Sequence, residues 1–147
     1  MIELNGLQIN VIAVLVATAV SFILSMLWYA KLFMKPWAKE MGYDTNMRPS
    51  GKVMAKNIVL SLVGNFLFAW VLAFYFAGWR MLPGNPSEVG AMVFGINSGL
   101  SVFIGFFLPM HLSRVVWEKH SWKLFFINSG YNLVATMAVA LIIAYWI

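Results

Sequence analysis

Charged residues divide the chain into four long stretches that contain none. The uncharged stretches are residues 4–30, 57–79, 89–113 and 124–147. Each contains 23 to 27 residues, so as a helix each would be roughly 35 to 40 Å long, enough to cross a hydrocarbon layer of about 30 Å. None of them alternates polar and apolar positions as a strand of a membrane barrel does. The pattern therefore predicts four transmembrane helices. The predicted spans are about 8–30, 57–79, 89–112 and 124–146.

The loops between these helices contain signals for shorter elements. Residues 36–41 begin with a proline and are followed by Gly42. This pattern predicts a short interfacial helix that ends at the glycine, with Trp37 and Met41 toward the lipid and Glu40 toward water. Two further residues are predicted to cap helices, namely Ser50 before the second span and Asn85 before the third.

Basic residues are distributed unevenly between the loops. Nine of the ten lie in the first and third loops, and Arg80 alone lies in the second. Because loops rich in lysine and arginine stay in the cytoplasm, loops 31–56 and 114–123 are expected there, with the N-terminus and the C-terminus outside. We expect a multi-pass protein of the inner (plasma) membrane that contacts acidic lipid headgroups. The residues expected at those headgroups are Lys31, Lys35, Arg114 and Lys119.

Composition agrees with a membrane protein and excludes several functional classes. The chain is 62% hydrophobic and 10% charged, whereas soluble domains contain about 25% charged residues. It has no cysteine, which excludes disulfides, thiolate zinc sites and iron–sulfur clusters. The basic residues lie at helix ends and do not form one folded surface, so we expect no nucleic-acid partner. The 147 residues are expected to form one all-α integral membrane domain, a compact bundle of four helices.

Small and polar residues recur at every fourth position of the spans, which indicates faces that meet protein. On the second and fourth spans these stripes have matching positions, so that Asn65 and Asn132 would lie at one depth. We predict that these two helices are parallel neighbours, within one chain or between copies, with Asn65 hydrogen-bonded to Asn132. The same residues could instead line a polar crevice, and the sequence leaves packing and ligand binding open. The residues of this group are Asn65, Asn97, Asn128, Asn132, Ser61, Ser98 and Thr136.

Residues suited to catalysis are sparse. The only histidines are His111 and His120, and no second metal ligand or paired carboxylate stands at a suitable spacing. We therefore expect no metal, no cofactor and no catalytic residue. Arg114 and Glu118 stand four residues apart, which predicts an ion pair at a helix end, and Pro109 predicts a kink in the third span. The residues expected at the inner membrane interface are Trp28, Tyr29, Trp37, His111, Arg114, Glu118 and Trp122.

Two segments of the sequence resemble a known family. They are LSMLWYAKLFMKPWAKEMG (residues 24–42) and WKLFFINSGYNLVATMAVALIIAYW (residues 122–146), with Asn10 opening the first span. Together they are similar to the domain of unknown function 1761 family of small bacterial four-span membrane proteins. The resemblance implies a four-span fold and a location in a bacterial membrane. It implies no established activity. It selects six positions to test first: Trp28, Tyr29, Trp37, Asn128, Gly130 and Tyr131.

Three functions remain open on this basis. The first is an oligomeric facilitator or pore subunit for a neutral small solute, because four short spans enclose too little space for an aqueous path and no charged residue lies in mid-membrane. The second is a non-catalytic structural, accessory or lipid-binding protein that packs with partner helices. The third is an interfacial lipid enzyme with His111 as base, which requires an open crevice at that residue. The expected partners are membrane lipids and either further copies of the chain or another membrane protein.

Overall fold

The computed structural model describes residues 1–4, 6–44, 46, 49–83 and 86–146. Four helices in it are long and apolar enough to cross a membrane. These spans are Val11–Leu32, Gly51–Trp79, Ala91–Trp117 and Trp122–Tyr145. The predicted all-α bundle of four spans is therefore confirmed.

The spans contain shorter elements that a hydropathy pattern does not separate. In chain order the elements are β1 (Ile2–Leu4), β2 (Leu7–Ile9), α1 (Val11–Leu27), a π-helical turn (Trp28–Leu32), α2 (Met34–Met41), α3 (Gly51–Trp79), α4 (Pro86–Val89), α5 (Ala91–Val102), a second π-helical turn (Phe103–Phe107), α6 (Leu108–Trp117) and α7 (Trp122–Tyr145). We call the end of the bundle that carries α2 the inner end and the opposite end the outer end.

A short antiparallel hairpin, β1–β2, precedes the first span and was not predicted. The helix begins only after it, because the Asn10 side chain accepts hydrogen bonds from the backbone amides of Ile12 and Ala13 at 3.1 and 3.3 Å. The same side chain donates from Nδ2 to the Trp146 carbonyl at 3.1 Å. The start of α1 and the end of α7 therefore lie together at the outer end.

Two helices extend further at the inner end than the uncharged stretches predict. α3 begins at Gly51, where the Ser50 hydroxyl accepts a hydrogen bond from the Val53 amide at 3.4 Å, as the cap prediction requires. The third span continues past Arg114 to Trp117. Lysine and arginine are good helix formers, so a charge marks the edge of the membrane without ending the helix. The predicted cap Asn85 lies outside the described residues.

The core lies mainly in the outer half of the bundle, where small residues of several spans meet. Ala17 of α1, Ala69 of α3 and Ala140 of α7 are 0% exposed. α7 packs against both α1 and α5. On α5, a Cβ added at Gly99 would lie 3.1 Å from the Ala140 Cβ. Small side chains let these helices approach closely, so in this half the small-residue stripes meet protein.

The inner part of α3 does not take part in this packing. Residues 51–61 are exposed, and Asn65 is only half-buried. On α7, Asn132 Nδ2 lies 2.6 Å from His111 Nε2. The predicted hydrogen bond between Asn65 and Asn132 is therefore wrong within the chain, because α6 brings His111 to Asn132 while α3 packs on its neighbours mainly through its outer half.

The irregularity predicted at Pro109 takes the form of a π-helical turn. Residues Phe103–Phe107 form this turn, and Leu108 donates its backbone N–H to the Phe103 carbonyl. Proline has no N–H and cannot continue an α-helical ladder, and a π-helical turn just before it lets the helix resume in α6. A similar turn, Trp28–Leu32, ends the first span.

Candidate functional site

The six residues selected by the family resemblance lie together at the inner end, between the first span and α7. We call Trp28, Tyr29, Trp37, Asn128, Gly130 and Tyr131 the inner cluster. Trp28 and Tyr29 belong to the π-helical turn. Trp28 donates from Nε1 to the Ile127 carbonyl at 3.0 Å, and the Tyr29 hydroxyl donates to Asn128 Oδ1 at 3.0 Å. Two adjacent residues of the first span thus bind two adjacent residues of α7.

The aromatic rings of the inner cluster contact one another. The Tyr29 ring centre lies 5.1 Å from that of Tyr131 and 5.5 Å from that of Trp37, within the range that aromatic pairs prefer. Gly130 provides space for the Trp28 ring, since an added Cβ would lie 3.2 Å from Trp28 Cζ2. The cluster is therefore tightly packed, and the Trp28 indole N–H and the Tyr29 hydroxyl are bonded within the chain.

The histidine of the third span lies one layer deeper. His111 is 3% exposed, and its Nε2 meets the Asn132 amide nitrogen at 2.6 Å. An amide nitrogen only donates, so the pair directs the lone pair of Nε2 toward Asn132. A buried imidazole of this kind does not offer the open crevice that a lipid enzyme with His111 as base needs.

Arg114 stands one turn further along α6, and it is half-buried. The predicted ion pair between Arg114 and Glu118 is wrong, because α6 ends at residue 117 and Glu118 Oε2 lies instead 3.4 Å from His120 Nε2.

The interfacial helix α2 is present and ends as predicted, with Gly42 in the left-handed conformation at φ 69°. Glu40, however, was expected to face water and contacts α7. Its carboxylate accepts a hydrogen bond from the Ser121 hydroxyl at 2.5 Å and lies 3.9 Å from Lys123 Nζ. The expectation failed because the start of α7 supplies both a hydroxyl donor and a cation beside α2. Met41 is 38% exposed.

The seven polar residues proposed for a crevice are not assembled into one. Asn128 and Asn132 bond to Tyr29 and His111. Thr136 is buried in the packed core at 1% exposure. The other four are separate: Asn97 and Ser98 line a lateral groove, Ser61 is exposed, and Asn65 is half-buried.

The remaining interface residues are on the surface of the inner end. Lys31, Lys35 and Lys119 are exposed. Trp122 is 58% exposed, and its ring centre lies 5.4 Å from that of Phe125. Among the residues that the structure describes, no three histidine, aspartate or glutamate side chains are grouped so as to hold a metal ion.

A wide groove opens between α3 and the third span, and sequence reasoning did not find it. Its volume is about 750 Å³. Seven of its fourteen lining residues are aromatic, none is charged, and three are polar: Asn97, Ser98 and Ser101. The helical spacing of Phe68, Leu72, Tyr75 and Trp79 along α3 was the available signal, but apolar side chains that face lipid show the same pattern.

A second cavity lies at the outer end beside the hairpin and Asn10. Its volume is about 30 Å³, which is close to the volume of one water molecule. The large groove, by contrast, is on the side of the bundle.

Comparison with known proteins assigns the chain to a family. A family model described as "Protein of unknown function (DUF1761)" matches residues 12–144. Curated proteins and solved structures gave no match. The matched region includes the inner cluster, His111, Arg114 and every residue that lines the groove. Because the match extends over nearly the whole sequence, this small multi-pass membrane protein belongs to the DUF1761 family, whose function is unknown.

Proposed function

We propose that this protein is a non-catalytic, lipid-binding protein of the bacterial inner membrane that holds an apolar chain in the groove between α3 and the third span. The groove itself is the observation that carries the proposal. Its volume of about 750 Å³ lies within the range of about 300 to 1,000 Å³ found for small-molecule sites. Its aromatic lining offers large apolar contact area to a bound chain.

The size of the groove favours a slender occupant over a helix. From Phe68 to Trp79, α3 contributes to the lining over a length of roughly 16 Å. A helix with its side chains is about 10 Å in diameter, and a groove that is open on one side would enclose only part of it. An acyl chain is narrower and flexible, so it can follow a groove of this shape.

Polar side chains provide a second recognition feature within the groove. The Ser101 hydroxyl donates to the Asn97 backbone carbonyl at 2.8 Å. The side chains of Asn97 and Ser98 line the groove as well, and both contain donors for a carbonyl or hydroxyl oxygen of a ligand. Hydrogen bonds of this kind would orient a lipid that the aromatic residues bind by contact alone.

The side chains of Asn128 and Asn132 form hydrogen bonds within the bundle, which supports lipid binding over solute transport. A facilitator would need amide groups along a hydrated path. Here Asn128 and Asn132 are bonded to Tyr29 and His111. A pore between several copies of the chain that was lined by these two amides would require their bonds to be replaced, and an uptake measurement distinguishes the two functions.

Native mass spectrometry with a matched pair of variants tests the proposal. Ser101→Phe places a ring at an exposed position in the groove, whereas Ser113→Phe places the same ring at an exposed position of α6 outside it. Protein in mild detergent is incubated with palmitoyl-oleoyl phosphatidylcholine. We expect the wild type and Ser113→Phe to retain the lipid equally and Ser101→Phe to retain several-fold less.

Equal retention by all three proteins would contradict the groove as the binding site. In a parallel experiment, proteoliposomes are tested for glycerol uptake. Binding without transport predicts uptake equal to that of protein-free vesicles, and faster uptake by the wild type would favour the facilitator.

A further inference from the structure

We propose that the inner half of α3 binds a second copy of this protein, in a parallel pair of α3 helices whose asparagine side chains meet at equal depth. The contact surface is one face of α3, formed by Asn57, Ser61, Gly64 and Asn65, which we call the amide face. The inference does not rest on a lipid in the groove, because the groove is lined by the outer half of the same helix.

The first observation is that no other span of the chain covers this part of α3. Residues 51–61 are all exposed, over a helical length of roughly 16 Å. At Gly64, an added Cβ would meet no atom within 4 Å. Small residues on an open face let the backbone of another membrane helix approach closely. The inner half of α3 is therefore accessible to a helix from outside the bundle.

The second observation is that the amide face carries polar side chains without a partner. Asn57, Ser61 and Asn65 stand four residues apart, so they share one face of the helix. In the part of the chain that the structure describes, no group is hydrogen-bonded to these three side chains. Asn65 lies nine residues beyond Lys56, or roughly 14 Å into the membrane. Hydrocarbon offers an amide neither donor nor acceptor, so an amide at that depth is stabilised by a polar partner.

A second copy of the chain supplies that partner at the correct depth. Copies of one sequence have the same orientation across the membrane, so their α3 helices pair in parallel and equivalent residues lie at equal depth. A side-chain amide contains both a donor and an acceptor, so it is complementary to its own counterpart. An asparagine in the contact between two helices favours a parallel pair in this way. Asn57 and Asn65 would each face the same residue of the second copy.

The positive charges of α3 are compatible with this pairing. Around the helix axis, Lys56 lies roughly 140° and Lys52 roughly 180° from Ser61. A two-fold contact through the amide face therefore keeps the lysines of the two copies apart. Contact through the opposite face would bring these like charges together, which is unfavourable.

Disulfide cross-linking in isolated cell membranes tests the proposal. The natural sequence has no cysteine, so Ser61→Cys places a single thiol on the amide face. Val59→Cys is the matched control, because it is also exposed and lies about 3 Å away in depth but roughly 160° around the helix. A disulfide forms only between residues whose Cα atoms are within about 7 Å. With copper phenanthroline as oxidant, we expect several-fold more covalent dimer from Ser61→Cys than from Val59→Cys.

The contribution of the amide is measured in the same assay with a second substitution. Asn65→Leu, added to the Ser61→Cys chain, removes the deepest polar group of the amide face. We expect it to lower the cross-linking yield several-fold, since the paired amides no longer bond. Val59→Leu, added to the same chain, changes the opposite face and is expected to leave the yield unchanged.

Three results would overturn the proposal. Equal yields from Ser61→Cys and Val59→Cys would mean that random encounters explain the dimers, and no dimer from Ser61→Cys would mean that lipid covers the face. A cross-linked product whose mass is not twice that of this chain would identify a different protein as the partner. Equal yields after Asn65→Leu and Val59→Leu would contradict the pairing of amides.

Discussion

At the scale of single residues, the inner end is held together by contacts between positions far apart in the chain. Trp28 donates to the Ile127 carbonyl, and its ring lies against Gly130. Tyr29 donates to Asn128. The family resemblance predicted which residues to test, but it could not predict these bonds, because their direction depends on a π-helical turn that sequence periodicity does not reveal.

The contribution of the Asn132–His111 hydrogen bond to the free energy of unfolding can be measured. Asn132→Leu leaves a 3% exposed imidazole without its amide partner, so we expect a loss of about 1 kcal/mol in the free energy of unfolding. A double-mutant cycle with His111→Phe, measured by unfolding in mixed detergent micelles, should give a coupling of about 0.6 kcal/mol and at most about 1.7.

The matched cycle combines Asn132→Leu with Asn65→Leu. The two effects should be additive, because Asn132 is bonded to His111 and not to Asn65. Coupling between Asn65 and Asn132, with none between Asn132 and His111, would contradict this arrangement and restore the pairing that sequence positions alone suggest.

At the scale of elements, α7 connects the other parts of the structure. It packs against α1, α5, α6 and the interfacial helix α2. The Ser121 hydroxyl accepts from the Leu124 amide at 3.1 Å to cap α7 and donates to Glu40 at 2.5 Å. One side chain thus fixes both the start of a transmembrane helix and the position of α2.

Replacement of two capping serines tests this double role. Ser121→Ala removes a cap and the bond to α2, whereas Ser50→Ala removes only an exposed cap of α3. We expect Ser121→Ala to lower the free energy of unfolding by about 2 kcal/mol and Ser50→Ala by about 1 kcal/mol or less. Equal losses in the same detergent assay would mean that the contact with Glu40 does not stabilise the fold.

The sequence predicted which transmembrane helices are present better than where they begin and end. The absence of charged residues marked the four spans, because ionised groups are costly in hydrocarbon. They could not mark the start of α3 at Gly51, since lysines continue a helix beyond the membrane. The hairpin β1–β2 has only three residues in each strand, too few for alternation to be recognised.

At the scale of the whole molecule, close packing in the outer half and the exposed inner part of α3 give the bundle two different regions. The outer half is held by small residues such as Ala17, Ala69 and Ala140. The groove opens between α3 and the third span. Hydropathy could not predict it, because a residue that lines an apolar groove and one that faces lipid satisfy the same pattern. This arrangement favours a protein that binds lipid from the side.

The arrangement of the chain across the membrane is tested most directly by labelling single cysteines in intact cells. The natural sequence has no cysteine, so Lys39→Cys, Lys119→Cys and Met81→Cys each introduce one site at an exposed position. With a membrane-impermeant maleimide, we predict that Met81→Cys reacts in intact cells and that the other two react only after the cells are opened. Labelling of Lys39→Cys and Lys119→Cys from opposite sides would contradict a bundle in which α2 and the start of α7 meet at one end.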